Sequence, residues 1–255
     1  DDAFGRQLCQ SVEPDSLVRY SAATGLAQDA EVSLRSVEFT DDGQNIRAAT
    51  PRGEVIAVTG LIGQFNVENL LACIATLVAL GLEHDQLELA VKDLKPIPGR
   101  MEKFNGGRET ASAVIDFAHT EQALRACLAA SREHTTGKLW CVFGCGGDRD
   151  QGKRSGMGRA AEELADRVIV TDDNPRNESP QKIVGEILAG MRHPDRACVV
   201  HNRQAAIEYA LSQAAPEDLV VIAGKGHEQE QIVGNERRPF SDRHVVGRIL
   251  RVAHD

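Results

Sequence analysis

The sequence predicts an α/β protein: a doubly wound, mostly parallel sheet of Rossmann-like character, preceded by part of another α/β domain built around an antiparallel meander. Three observations predict it. β-prone runs alternate with amphipathic helical patterns from Ala111 onward, three β-prone runs separated by turn signals lie near the start, and Lys95-Pro96-Ile97-Pro98-Gly99 divides the two regions. In the first region Glu31 to Thr40, Asn45 to Thr50 and Glu54 to Thr59 read as strands, with Asp41-Asp42-Gly43 and Pro51-Arg52-Gly53 as the turns between them. Asn66 is expected to cap an apolar helix running to about Leu80, which Gly81 stops, and Asp85 to Leu94 reads as a second amphipathic helix. Two prolines around Ile97 cannot continue a helix, so a domain boundary is placed there, giving domains 1–97 and 98–255. Beyond it Ala113 to Phe117, Leu139 to Phe143, Arg167 to Thr171, Ala197 to Val200 and Leu219 to Ala223 read as strands, with about four helices between them.

Composition narrows the classes of function. The 255 residues carry 29 Lys and Arg against 38 Asp and Glu, a net charge of −9, so a general nucleic-acid or anionic-membrane surface is not expected. At 42% hydrophobic and 26% charged residues the chain should fold without disulfides or structural metal. The apolar stretch from Leu70 to Leu82 is too short to span a bilayer, and no basic, then apolar, leader is visible, so a cytoplasmic protein is expected. The six cysteines form no C-x-x-C pair and mostly sit in apolar runs, as reduced buried thiols do; a metal site at Cys141 and Cys145 would lack a second ligand pair.

In a doubly wound fold, ligands bind outside the carboxyl ends of the strands, which directs attention to four loops. After Phe143 comes Gly144-Cys145-Gly146-Gly147-Asp148-Arg149-Asp150-Gln151-Gly152-Lys153-Arg154. A dinucleotide fingerprint would need glycine where Arg149 stands, which disfavours a nicotinamide dehydrogenase, and a P-loop would need Ser or Thr where Arg154 stands. What survives is either a solvated turn or a glycine loop whose Arg149, Lys153 and Arg154 capture a carboxylate or phosphate. After Thr171, Asp172-Asp173-Asn174-Pro175-Arg176 is either an Asx turn before the helix starting at Ser179-Pro180 or a zwitterion site. In the second case Arg176 forks onto a carboxylate and Asp173 and Asn174 receive an ammonium. Gly224-Lys225-Gly226-His227-Glu228 is either a plain glycine turn or a close backbone approach with Glu228 on an amine. Asp116-Phe117-Ala118-His119-Thr120 offers an acid and a histidine that orient a nucleotide or a magnesium-bound phosphate, or a histidine that caps the next helix.

Taken together and in order, Gly63-Gln64-Phe65-Asn66-Val67-Glu68-Asn69-Leu70-Leu71, Gly99-Arg100-Met101-Glu102, Asp116-Phe117-Ala118-His119-Thr120, the loop after Phe143, Asp173-Asn174-Pro175-Arg176 and Gly224-Lys225-Gly226-His227-Glu228 closely resemble the Mur ligases of peptidoglycan synthesis. Within that family they resemble the branch that adds meso-2,6-diaminopimelate, and the resemblance runs from near Asp1 to about Leu250. It implies an ADP-forming amide ligase of cell-wall biogenesis, cell shape and division. ATP, with Mg2+, phosphorylates the D-glutamate γ-carboxyl end of UDP-MurNAc-L-Ala-D-Glu, and the incoming amine then displaces phosphate. Such chemistry needs no covalent enzyme nucleophile, because positioning and charge neutralisation suffice once the carboxylate carries a good leaving group.

By the same resemblance, residues 1–97 belong to the central ATP-binding domain and 98–255 to the domain that binds the incoming amino acid. Arg149, Asp173, Asn174, Pro175, Arg176, Gly224 and Glu228 would hold diaminopimelate, and Asn66, Asn69, Arg100, Asp116 and His119 would lie on the ATP side. No metal ligand is assigned. The chain departs from the family in carrying neither a UDP-sugar domain, nor a P-loop, nor the upstream lysine that relatives carbamylate, and in having Glu121 where many have proline. It is therefore expected to be the C-terminal part of a monomeric ligase, inactive alone; the alternative is a non-catalytic amino-acid- or nucleotide-binding remnant.

Overall fold

The computed structural model describes residues 3–13, 17–23, 30–92 and 94–251. The chain forms two compact units, 1–95 and 96–255. In the first, a short helix α1 (Ala3–Cys9) and strand β1 (Tyr20–Ser21) precede the meander β2 (Val32–Thr40), β3 (Gly43–Thr50) and β4 (Gly53–Thr59). The three strands pair antiparallel in sequence order, and β1 adds a parallel edge beside β2. Gly43 and Gly53 take φ of 148° and 121° at the two turns, a region closed to most side chains. Along β4 Val55, Ala57 and Thr59 are buried while Glu54, Ile56 and Val58 are exposed, the period-two pattern of a sheet covered on one face. The cover is α2 (Gln64–Ala79), whose Val67, Leu70, Leu71 and Ile74 form a buried stripe at helical spacing, followed by α3 (His84–Lys92).

The start of α2 differs from the sequence expectation. Gly63 is the N-cap residue and Asn66 lies inside the first turn, where its Nδ2 donates to the Ile62 carbonyl at 2.9 Å instead of capping. Glycine serves here because its φ of 89° turns the chain into the helix where asparagine would be strained.

The second unit is a doubly wound α/β domain. Its strands are β5 (Glu102–Phe104), β6 (Ser112–Asp116), β7 (Leu139–Phe143), β8 (Arg167–Val170), β9 (Cys198–Val199) and β10 (Leu219–Ala223), followed by the hairpin β11 (Glu230–Val233) and β12 (Glu236–Pro239). The six-stranded sheet runs β5-β6-β10-β7-β8-β9; all its pairs are parallel except β5 with β6. Both β7 and β10 are buried at every position, as continuous apolar runs require when helices cover both faces. Those helices are α4 (Glu121–Arg132), α5 (Lys153–Leu164), α6 (Pro180–Leu188), α7 (Arg203–Gln213) and α8 (Asp242–Leu250). One face packs Ile115, Trp140, Val142, Val220 and Ile222 against Ala206, Ile207, Ala210, Val245 and Val246 of α7 and α8. Four helices begin on a side-chain cap from Thr120, Ser179, Asn202 or Ser241, so the capping role weighed for His119 belongs to its neighbour Thr120. The antiparallel edge β5, the hairpin and α8 go beyond the strands and helices expected from the sequence.

At the carboxyl edge of the sheet Arg203 and Asp242, both with 0% exposed side chains, form a two-pronged ion pair of 2.8 Å per bond. Arg203 also donates to the Ala223 carbonyl at 2.9 Å, so the pair ties α7 and α8 to the end of β10. Removing one partner leaves an uncompensated buried charge. Asp242→Ala is expected to destabilise the unit by about 3–5 kcal/mol in urea unfolding, whereas the double variant Arg203→Met/Asp242→Leu should lose much less.

Candidate functional site

The carboxyl ends of β7, β8 and β10 place three loops side by side. After β7, the Gly147 N–H donates to the Asn174 carbonyl at 2.9 Å. A Cβ built on Gly147 would lie 1.9 Å from the Pro175 carbonyl oxygen, so glycine is needed for the approach of the two loops. Arg154, read from the sequence as one arm of an anion-capturing loop, does not serve that role. Its side chain is fully buried, bridged to Glu178 at 2.9 Å and Glu186 at 2.6 Å, and it donates to the Gly146 carbonyl at 3.1 Å. It holds the loop from beneath. Arg149 is instead exposed, with its Nη1 donating to the Asp148 carbonyl at 3.2 Å, while Lys153 at the start of α5 is half-buried.

The loop after β8 is held by the hairpin. The Arg176 N–H donates to the Ile232 carbonyl at 3.1 Å, and the Gly234 N–H donates to the Arg176 carbonyl at 2.7 Å. Ile232 N donates to Asn174 Oδ1 at 2.9 Å and Gln231 Nε2 to the Asp173 carbonyl at 2.6 Å. Arg176 adopts φ of 49°, a left-handed conformation costly for a side-chain-bearing residue and here maintained by both of its backbone bonds. Its Nη1 donates to the Gly147 carbonyl at 2.8 Å, and Nε and Nη2 make no hydrogen bond among the described residues. One edge of the fork is thus anchored and the rest is available to a carboxylate.

After β10, Gly224 takes φ of 115°, and a Cβ there would lie 2.9 Å from Asp173 Oδ2. Lys225 is fully buried beneath the same loops; its Nζ donates to Asn174 Oδ1 at 3.1 Å, Glu228 Oε2 at 2.6 Å and the Glu230 carbonyl at 2.7 Å. Asn174 Nδ2 also donates to Glu228 Oε2 at 2.9 Å. Asn174, expected to receive a ligand ammonium, therefore has both Oδ1 lone pairs occupied, by Lys225 and Ile232. Burial would raise the Glu228 carboxyl, but the bonds from Lys225 and Asn174 outweigh it and hold it below the ordinary carboxylate range.

A second cluster surrounds Phe117. The Arg100 guanidinium lies 4.6 Å from the ring centroid, with His119 at 4.7 Å on one side and His227 at 5.3 Å on another. His119 Nδ1 is 2.9 Å from the Phe117 carbonyl oxygen. Asp116 accepts from the Met101 N–H at 2.8 Å and the Ala118 N–H at 2.7 Å; burial raises its carboxyl, with those N–H groups acting against the rise. The structure thus brings Arg100, Asp116 and His119 together. Asn66 and Asn69 belong to unit 1–95, where Asn69 Nδ2 donates to Asn66 Oδ1 at 3.1 Å.

Cys141 and Cys145 are buried, and burial pushes the Cys145 thiol up to about 12, so it stays protonated at neutral pH. Among the described residues no three His, Cys, Asp or Glu side chains gather as a metal site. Sequence reasoning missed Lys225 and the hairpin. Gly234-Asn235 between Ile232-Val233 and Glu236-Arg237 is a two-residue hairpin signal, and a lysine between two glycines directly after a buried strand had to find partners or be expelled.

Comparison with known proteins bears on these loops directly. Residues 99–226 match the family described as Mur ligase, glutamate ligase domain. The chain is 42% identical over 252 residues to the UDP-N-acetylmuramoyl-L-alanyl-D-glutamate–2,6-diaminopimelate ligase of Vibrio cholerae, covering 99% of this chain and 50% of that protein. A solved structure of a ligase bearing that name superposes with a TM-score of 0.70 at 35% identity, over 93% of this chain and 48% of the other. The folylpolyglutamate synthase of Mycobacterium tuberculosis shares the fold, with a TM-score of 0.61 at 22% identity over 77% of this chain and 46% of its own. The chain spans about half the length of the curated relative it matches. No helix among the described residues is long and apolar enough to cross a membrane.

The Arg154 bridges predict an acid limb in stability. The guanidinium holds the Glu178 carboxyl down from 4.5 to about 2, so the folded value lies below the unfolded one. The bridge contributes fully above about pH 4.5 and is lost as the pH falls toward 2. Thermal unfolding midpoints followed from pH 6 downward should decline less steeply for Glu178→Gln than for the parent, with the two curves meeting at the acid end.

Proposed function

The chain belongs to the Mur ligase family, and on that premise we propose that the protein containing it is an ATP-dependent amide ligase. It joins meso-2,6-diaminopimelate to the D-glutamate γ-carboxyl end of UDP-MurNAc-L-Ala-D-Glu during peptidoglycan synthesis. The observation that carries this reading is the pairing of an open guanidinium fork at Arg176 with an ionised carboxylate at Glu228, on two loops tied through Asn174 and Lys225. A ligand that satisfies both carries a carboxylate and an ammonium, and the additional exposed guanidinium of Arg149 favours one with a second carboxylate. L-Lysine has no second carboxylate to pair with Arg176, so the site discriminates by leaving that partly buried guanidinium unpaired.

In this reading Arg149 and Arg176 hold the carboxylates and Glu228 the amine that does not react. Asp173, Asn174 and Pro175 shape the loop, and Gly224 lets the backbone close against it. The nucleophilic amine must be delivered neutral and in line with the activated carboxyl, which is a task of orientation and needs no covalent enzyme intermediate. Arg100, with its positive charge over Phe117, and His119 are suited to the phosphate side, where Asp116 fixes the turn through the Met101 and Ala118 N–H groups. Asn66 and Asn69 are assigned to the ATP side as well. ATP supplies the phosphoryl group that turns the carboxylate into an acyl donor; magnesium accompanies it, and none of its ligands is assigned to this chain. Unit 1–95 is assigned to the central ATP-binding domain and 96–255 to the amino-acid-binding domain. The protein is proposed to work in the cytoplasm as a monomer, and the 255 residues alone should not turn over.

Ligation by the complete protein tests the reading. Arg176→Ala should reduce kcat/KM for meso-diaminopimelate by about 2–5 kcal/mol of transition-state stabilisation, the scale for severing a buried charge pair, and narrow its preference over L-lysine. Unaltered kinetics with both amino acids would refute the role of Arg176.

A further inference from the structure

We infer that Lys225 is a positioning residue for the incoming amino acid: its buried ammonium presets Glu228 and Asn174 so that a single carboxylate oxygen meets the ligand amine. The inference rests on the amino-acid site proposed above and goes beyond it by assigning a role to a side chain that the ligand does not touch. A lysine ammonium offers three donors, and all three are used, on Asn174 Oδ1, Glu228 Oε2 and the Glu230 carbonyl. Those acceptors come from the loop after β8, the loop after β10 and the first residue of the hairpin, so one cation fastens three segments. With 0% exposure it cannot be satisfied by water instead.

The consequence for the site follows from which atoms remain. Asn174 Oδ1 accepts from both Lys225 and the Ile232 N–H, which fixes the amide so that Nδ2 points at Glu228. Glu228 Oε2 then carries two donors, from Lys225 and Asn174, while Oε1 makes no hydrogen bond among the described residues. The carboxylate is held ionised and in one orientation before the ligand arrives, so binding need not select a rotamer or expel a proton. Lysine suits the task because its point charge meets three acceptors from different directions, which a planar guanidinium cannot do in the same volume.

Steady-state kinetics of the complete protein test this with Lys225→Met, Glu228→Gln and the two combined. Lys225→Met should raise KM for meso-diaminopimelate about tenfold or more, leave KM for ATP within about twofold, and make the amino-acid KM fall with rising pH, because Glu228 has lost its cation. The double variant should be no worse than the poorer single one, since both changes act through one carboxylate. A Lys225→Met enzyme whose amino-acid KM is unchanged, or whose KM values for all substrates rise alike, overturns the inference. A crystal structure of the unmutated protein with meso-diaminopimelate gives a test independent of how the variants fold. The ligand amine on Glu228 Oε1 with Lys225 still on Oε2 supports the inference, and an amine that displaces Lys225 overturns it. Arg176→Ala separates the two levels: if it impairs diaminopimelate use while Lys225→Met does not, only the positioning role fails. If neither variant matters, the amino-acid site itself has been misassigned.

Discussion

A cation removed from water must be given partners, and that constraint organises the carboxyl edge of the sheet. Arg154, Arg203 and Lys225 are each buried to 0% exposure, and each is bound to carboxylates and to a backbone carbonyl of a different segment. Arg154 holds the loop after β7 to the entry of α6, Arg203 binds the end of β10 to α8, and Lys225 joins the loops after β8 and β10 to the hairpin. Such pairs contribute little net stability compared with a well-packed apolar replacement. Their effect here is geometric, because each admits few arrangements of the chain around it.

The groups proposed to face the ligand inherit their positions from these buried ones. Arg176 and Glu228 present opposite charges from loops whose backbones are already interlocked, and the close approach depends on Gly147 against the Pro175 carbonyl and Gly224 against the Asp173 carboxylate. Strain at Arg176, with its φ of 49°, is held by two backbone bonds to the hairpin. The basic residues that remain outermost, Arg149 above all, are those for which the fold provides no carboxylate partner. The loops therefore separate an inner layer, in which Arg154, Arg203 and Lys225 are paired within the protein, from an outer layer in which charge is left open.

A second separation runs between the two compact units. Unit 1–95 is a meander under two helices, with α2 contributing Asn66 and Asn69, whereas the loops after β7, β8 and β10 and the Phe117 cluster all belong to unit 96–255. Within the latter, Gly226 lies between Lys225, which faces the amino-acid loops, and His227, which packs near Phe117. One short turn after β10 thus serves both clusters. Its two glycines, with φ of 115° and 52°, let the chain change direction sharply enough to do so.

Patterning along the chain determined the architecture. Continuous apolar runs at Leu139 to Phe143 and Leu219 to Ala223 require a sheet buried on both faces, and alternation from Val55 to Thr59 requires a sheet buried on one, because burial of side chains is a local and periodic demand. The motifs likewise pointed to the loops on which the proposed chemistry rests. Only the tertiary structure decided which charged residues are left open and which are sealed and paired. Arg149 and Arg154 lie five residues apart in one basic loop, yet one is exposed and the other sealed beneath Glu178 and Glu186. Lys225 reads as a turn residue but becomes the centre of a buried network. That distinction depends on distant partners as well as near ones: Glu178 and Glu186 lie 24 and 32 residues from Arg154, and Asn174 lies 51 from Lys225, all brought into reach by the crossing order of the strands.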